Sequence, residues 1–168
     1  MTESEIKRFE YNLSNDYEGL KKKIDIIAGV MKKGSENMRI RTLALSARKG
    51  AQDFNYREEL ELIYDYVCKN ISYVRDTYKI EVIHDAEKVL DFEAGDCDDF
   101  VILLGALLLS IGWTVRIVIC GREKNSFSHI YLQCWEPVER KWITADASMK
   151  YPLSKESTAQ YKKYFMVK

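Results

Sequence analysis

Apolar residues recur at helical spacing through the first part of the chain. Between residues 18 and 33 they lie three and four positions apart, and Gly34 follows as a helix stop. A second helix is predicted for residues 36–48 and a third for residues 57–70, where the apolar positions again share one face. The pattern therefore predicts three amphipathic helices that pack against whatever follows them.

The second part of the chain changes from helical to alternating periodicity. Asp85 can cap a short helix that runs to Phe92, and Gly95-Asp96 precedes a strongly apolar helix over residues 97–111. Strands are predicted at residues 71–75, 113–120, 128–135 and 141–146. Because the last three strands follow one another through short turns, we expect an antiparallel meander. Helices first and strands afterwards indicate an α+β fold.

Size and charge exclude several classes of protein. The 168 residues fit one domain, and 26 basic residues balance 26 acidic ones, so no electrostatic footprint for nucleic acid or an anionic membrane is expected. The longest apolar run, residues 100–109, is about half of what a membrane span needs. The first residues also lack the apolar core of a signal peptide. We therefore expect a protein of the reducing cytoplasm without nucleic-acid or membrane partners.

The four cysteines do not share one environment. No C-x-x-C pair or regular framework is present, so we expect no disulfides, structural zinc or other cofactor. Three of them, Cys68, Cys120 and Cys134, occupy apolar segments and are interpreted as small buried hydrophobes. Cys97 differs because it begins the apolar helix, among Asp96, Asp98 and Asp99. It is the candidate nucleophile.

The position of Cys97 carries opposing electrostatic effects. Amides at a helix N-terminus favour a thiolate and can also stabilise an oxyanion on a substrate carbonyl. The surrounding aspartates oppose ionisation of the thiol, so a cationic partner is needed. These carboxylates could be imagined as a metal site, but no glycine-turn ligand loop is present. Helix capping and first-turn charge explain them more simply.

A histidine is the natural partner, and the sequence has only two. His129 begins a predicted strand on the same face as Tyr131, whereas Ile130 falls on the opposite, core face. Asp146 ends the next strand, which an antiparallel pairing brings beside His129. Such an acceptor fixes the imidazole tautomer in a catalytic triad. The other histidine, His84, precedes the cap Asp85 and is interpreted as a surface or capping residue.

Several segments resemble the transglutaminase-like superfamily. Gly95-Asp96-Cys97-Asp98-Asp99-Phe100 resembles its nucleophile motif, and Phe127-Ser128-His129-Ile130-Tyr131-Leu132 its histidine strand. Lys141-Trp142-Ile143-Thr144-Ala145-Asp146-Ala147-Ser148 is similar to its aspartate strand, although Ala147 stands where many relatives have proline. The similarity extends to the segment Lys69-Asn70-Ile71-Ser72-Tyr73 and covers roughly residues 57–148, with the landmarks in order. Length and helical lead-in also resemble short phage and prophage members.

The resemblance implies a papain-like fold with a Cys97, His129, Asp146 triad. It implies a cysteine hydrolase or acyl transferase acting on protein or peptide amides, with no cofactor. The sequence does not separate hydrolysis from transamidation. It also leaves open the side-chain donor of the oxyanion hole, for which position alone suggests Tyr73.

Two alternatives accompany this interpretation. The chain could instead be a structural or assembly protein that retains the fold, with phage particle components as partners and the virion or host cytoplasm as its location. Residues 1–56 are predicted to be a helical extension and residues 57–168 the catalytic domain, with the two packed as one compact unit. The extension could act as a lid or a propeptide. The run Lys21-Lys22-Lys23 is interpreted as a solvated helix face.

Overall fold

A computed structural model describes residues 17–75 and 82–168 of the chain. Its helices are α1 (Tyr17–Ser35), α2 (Met38–Ala47), α3 (Tyr56–Asn70), α4 (Ala86–Phe92) and α5 (Cys97–Ser110). Each lies where the hydrophobic pattern predicts one, and Asp85 caps α4 by accepting the amide of Lys88. Among the described residues, no helix is long and apolar enough to cross a membrane.

Helix α5 is the centre of the molecule. Nearly every residue from Asp98 to Leu108 is buried, because α1, α2, α3 and α4 contact it and strands pack on it as well. The approach of α1 is very close. A Cβ on Gly105 would overlap the side chain of Met31, which would then have to shift, so glycine leaves room for Met31 as it lies. Helix α1 contributes Ile24, Ile27 and Met31 to the same core as α5.

Strands form two sheets within the described ranges. A two-residue parallel pair joins β1 (Ser72–Tyr73) to β2 (Ala94–Gly95). The main sheet contains β3 (Val115–Gly121), β4 (His129–Glu136), β5 (Lys141–Ala145) and β6 (Tyr161–Met166) in the order β5-β4-β3-β6. All its pairs are antiparallel. The predicted α+β fold and the β3-β4-β5 meander are therefore confirmed.

Strand β6 was not predicted from the sequence. Its residues are half-buried or exposed, and Lys162 and Lys163 stand in the middle of the segment. An edge strand of this kind has no apolar alternation to reveal it. Pairing with β3 forms it, in the register Ile117 with Phe165 and Cys120 with Lys162.

One arginine ties the outer face of the main sheet together. The guanidinium carbon of Arg116 lies 4.2 Å from the ring centre of Trp142 and 4.5 Å from that of Tyr164. The same guanidinium donates from Nε and Nη2 to Oε1 of Gln133, at 2.8 and 2.5 Å. Because these residues come from β3, β5, β6 and β4, this arginine clamp joins every strand of the sheet.

Candidate active site

Helix α5, which carries the candidate nucleophile Cys97, begins with a capping box. Oδ1 of Asp96 accepts the amides of Asp98 and Asp99 at 3.0 and 3.2 Å, and Oδ2 of Asp99 accepts the amide of Asp96 at 3.2 Å. These bonds satisfy amides that a helix start leaves without partners. The predicted capping role of these two aspartates is confirmed, and Cys97 is the first residue of the helix.

A glycine directly before this turn is required by the space available. A Cβ on Gly95 would lie 2.5 Å from Cβ of Asp99 and 2.7 Å from its Oδ2. The carbonyl of Gly95 also accepts the amide of Val74 at 2.9 Å, in the parallel pair that sets Tyr73 opposite Gly95. This short ladder therefore holds Tyr73 beside the start of α5.

His129 and Asp146 form a close pair. Nε2 of His129 lies 2.6 Å from Oδ2 of Asp146, whose side chain is only 4% exposed. The other carboxylate oxygen, Oδ1, accepts the Ser148 hydroxyl at 3.0 Å and the amide of Met149 at 3.3 Å. The carboxylate is thus fixed from both sides. The strand phase predicted for His129 is also found, since its ring stacks on Tyr131 with centres 5.9 Å apart.

The Asp146 backbone is fixed as well as its side chain. The hydroxyl of Tyr64, on α3, lies 2.8 Å from the carbonyl oxygen of Asp146 and 2.5 Å from that of Tyr151. Sequence reasoning did not find Tyr64, because a contact between a helix and a loop 82 residues later leaves no local pattern. It also missed Ser148, although a serine two residues after a strand-ending aspartate is a recognisable turn signal.

The three predicted site residues meet at one place. Cys97 and His129 line a cleft of about 340 Å³ that Tyr73 also borders. Cys97 and Asp146 both line the tightly packed region next to it. Because Nε2 of His129 faces Asp146, Nδ1 is the ring nitrogen that this pair leaves available.

The surroundings of Cys97 oppose a negative charge on its sulfur. Burial raises the pKa of the Cys97 thiol to about 12, and Asp98 and Asp96 act in the same direction. Lys23 and a hydrogen bond from the amide of Asp98 act in the opposite direction. The resting thiol is therefore protonated, and ionisation needs a base that becomes a cation beside it.

Lys23 corrects one interpretation of the sequence. Its Nζ lies 2.8 Å from Oδ2 of Asp98, and the two side chains are 18% and 7% exposed. Lys21 and Lys22 are exposed as predicted, but Lys23 is not part of that solvated face. A helical period places every third or fourth residue inward, and a lysine there can reach a buried carboxylate.

His84, interpreted from the sequence as a surface or capping residue, is half-buried and contacts a residue of the α5 cap. Its Nδ1 lies 3.1 Å from Oδ2 and 3.3 Å from Oδ1 of the buried Asp99, and its backbone amide donates to the same carboxylate at 3.2 Å. Asp99 is the residue that closes the capping box of α5. His84 therefore supports the start of α5 from outside the helix.

The remaining cysteines match the prediction of a packing role. Cys120 and Cys134 are buried, and Cys68 is half-buried with its Sγ 3.9 Å from the carbonyl oxygen of Ala147. Burial raises the pKa of the Cys68 and Cys134 thiols. The pKa of Cys97 is raised as well, so the pKa does not distinguish it from the other cysteines. What distinguishes Cys97 is its position in the cleft beside His129.

Residues 41–147 match the family described as the transglutaminase-like superfamily. Two solved structures share the fold. One, from Parabacteroides distasonis, is titled a "putative protease"; it is 16% identical, with a TM-score of 0.53 over 69% of this chain. The other, from Cytophaga hutchinsonii, is titled a "putative cysteine protease"; it is 19% identical, with a TM-score of 0.51 over 76% of this chain.

The chain spans only 25% and 46% of the lengths of those two proteins. At such low identity the likeness concerns the fold. No curated protein is significantly similar in sequence to this chain.

Proposed function

We propose that this chain, which belongs to the transglutaminase-like superfamily, is a cysteine hydrolase or acyl transferase acting on peptide or side-chain amide bonds. The observation that carries the proposal is the His129–Asp146 pair, 2.6 Å apart, at the cleft where Cys97 begins α5. A structural protein has no need of a buried carboxylate paired with a histidine that lines the same cleft as a cysteine.

The first step of the reaction forms a thioester. Nδ1 of His129 takes the thiol proton as Sγ of Cys97 attacks the amide carbonyl, and Asp146 holds the imidazolium through Nε2. The oxyanion accepts the Cys97 amide and the hydroxyl of Tyr73. When the C–N bond breaks, His129 returns the proton to the departing amine. A carbon–sulfur bond has then replaced the carbon–nitrogen bond.

The second step releases the acyl group. Water, or an amine in a transamidation, gives a proton to His129 and attacks the thioester carbonyl, and the Cys97 sulfur leaves with a proton from His129. We prefer hydrolysis because bulk water needs no dedicated acceptor site. The descriptions of the two structural neighbours as proteases agree with that preference.

The raised pKa of Cys97 makes His129 essential in this mechanism. At neutral pH an isolated thiol in this environment stays protonated, because burial and the carboxylates of Asp98 and Asp96 oppose the thiolate. A protonated His129 is a cation next to the sulfur and compensates for them. Reactivity of Cys97 should therefore depend on His129 much more than that of Cys68, Cys120 or Cys134.

The test measures alkylation of each cysteine. Folded protein is treated with iodoacetamide between pH 5 and pH 10, and mass spectrometry locates the label. We expect Cys97 to react selectively below about pH 8.5, the usual thiol pKa, and to slow at least about tenfold in His129→Ala. Turnover of peptide, isopeptide and glutamine–amine substrates then identifies the acceptor. A slow labelling rate of Cys97 that is the same in His129→Ala as in the unmodified protein would contradict the proposal.

The second candidate is a structural or assembly protein that keeps the fold. The observation in its favour is the raised pKa of Cys97, which alone would make the thiol inert. Association with phage particles belongs to this candidate, and the comparisons do not support a phage origin. Slow, His129-independent labelling together with no turnover on any substrate would favour it.

A further inference from the structure

Helix α1 supplies part of the wall around Cys97. Leu20, Lys23 and Ile24 line the same cleft as Cys97 and His129. Lys23 reaches across to α5, where its Nζ lies 2.8 Å from Oδ2 of Asp98, the residue after the nucleophile. Residue 23 lies outside the segment that matches the family, which begins at residue 41. This contact is therefore not part of the region that defines the superfamily.

The charges that face Cys97 come from several elements. Helix α5 and its cap supply Asp96 and Asp98, and β4 supplies His129. Strand β1 supplies Tyr73, and the stretch that follows it supplies Arg75. Helix α1 supplies Lys23. Asp99 lies in the first turn as well, but His84 pairs with it.

We propose that Lys23 is a positioning residue of the active site, which acts by holding Asp98 in an ion pair so that this carboxylate opposes a thiolate on Cys97 less strongly than it would without the lysine. The inference rests on the proposed function, since it concerns the ionisation of the proposed nucleophile. Lys23 touches no reacting atom. It acts through Asp98, and it makes α1 an electrostatic component of the site as well as a wall.

Burial makes this ion pair effective. Asp98 is 7% exposed and Lys23 18% exposed, so little water screens the charges. A carboxylate held in this way repels a neighbouring anion less than an uncompensated one does. The environment of the thiol agrees: after burial, Asp98 is the largest cause that raises the pKa of Cys97, and Lys23 lowers it.

The experiment compares pH profiles of Cys97 labelling in five variants of the full chain. They are Lys23→Met, Lys23→Arg, Asp98→Asn, the double variant Lys23→Met/Asp98→Asn, and Lys22→Met as a matched control. Lys22 neighbours Lys23 on the same helix but is exposed. Iodoacetamide is the probe, and circular dichroism with thermal unfolding checks that each variant is folded.

Lys23→Met should raise the midpoint of the labelling profile by about one pH unit, the size of a near charge–charge effect. Labelling at a pH below the midpoint should then slow about tenfold. Lys23→Arg should keep the profile, and Lys22→Met should not change it. Asp98→Asn should lower the midpoint. The double variant should return toward the unmodified protein, because the carboxylate that Lys23 offsets is gone.

A midpoint in Lys23→Met equal to that of the unmodified protein would overturn the inference. So would a double variant as slow as Lys23→Met, because a purely structural contact between α1 and α5 is not restored by Asp98→Asn. If Lys23→Met does not fold, Asp98→Asn decides, and an unshifted midpoint there also overturns it.

These outcomes separate the inference from the proposed function. If Cys97 is labelled quickly, depends on His129 and does not respond to the Lys23 and Asp98 variants, the proposed function is supported and the inference on Lys23 is contradicted. Slow, His129-independent labelling in the unmodified protein removes both.

Discussion

At the scale of single residues, the site is built around a carboxylate held from both sides. Oδ2 of Asp146 faces Nε2 of His129, while Ser148 and the amide of Met149 hold Oδ1. The carboxylate can therefore not rotate away from the imidazole without losing two further hydrogen bonds. In the proposed mechanism, this arrangement leaves Nδ1 of His129 to take the thiol proton.

Asp146→Asn should lower kcat/KM for any substrate by about a hundredfold. The amide cannot hold an imidazolium by charge, and even a small misorientation of a catalytic group has an effect of this size. Ser148→Ala is the matched control, because the Met149 amide still holds Oδ1, and we expect a loss of only a few-fold. Steady-state kinetics measure both. Equal losses in the two variants would show that charge on Asp146 is not what matters.

The residues that sequence could identify are those with a local motif. Cys97 follows from its helix start, and His129 from its strand phase. The structure then brings both residues to one cleft. Lys23 and His84 could not be found, because each meets an aspartate of α5 that lies far away in sequence. Such contacts depend on how helices pack, and no periodicity encodes them.

At the scale of elements, the start of α5 depends on a close approach between backbone and side chain. Gly95 leaves space for Asp99, and Asp99 in turn closes the capping box and accepts His84. The turn, the helix start and the short β1–β2 ladder therefore form one unit around Cys97.

Gly95→Ala should lower the free energy of unfolding by about 1–3 kcal/mol, the usual cost of overpacking. The added Cβ would lie 2.5 Å from Cβ of Asp99, so the capping box must shift. Gly29→Ala is the control, because a Cβ there meets nothing within 4 Å and alanine favours a helix by up to about 1 kcal/mol. Denaturant unfolding measures both. A neutral or stabilising Gly95→Ala would contradict this account of the turn.

The elements that sequence predicted best are those with a clear period. The apolar positions of α5 and of strands β3, β4 and β5 are continuous or alternating in the sequence. In the structure most of these residues are buried. Strand β6 escaped prediction because its lysines interrupt any alternation. Only the free edge of β3 makes that segment a strand, and an edge is a property of the assembled sheet.

At the scale of the whole molecule, α1 and α2 share a core with the part that carries Cys97, His129 and Asp146. Ile27, Met31, Ile40 and Ala44 are fully buried in the same cluster as Leu103. The division into an extension at residues 1–56 and a catalytic domain at residues 57–168 stays a prediction. Because α1 packs closely against Gly105 of α5, we expect that residues 57–168 do not fold without it.

A chain of residues 57–168 should not fold cooperatively, because removing α1 and α2 exposes the apolar surface of α5 that they cover. We expect loss of a cooperative thermal transition and binding of a dye specific for exposed apolar surface. The control is the double variant Lys21→Gln/Lys22→Gln, which alters only the exposed face of α1 and should unfold like the unmodified protein. A shortened chain with a sharp transition would show that residues 1–56 are dispensable for folding.

The arginine clamp has a consequence for the order in which the protein is made. Arg116, Gln133 and Trp142 leave the ribosome before Tyr164, because synthesis runs from the N-terminus. The strands that carry His129 and lead to Asp146 can therefore pair while the edge of β3 is still uncovered. An uncovered edge invites pairing with other chains. The nascent protein is thus most prone to aggregate after Asp146 has been translated but before β6 pairs with the edge of β3.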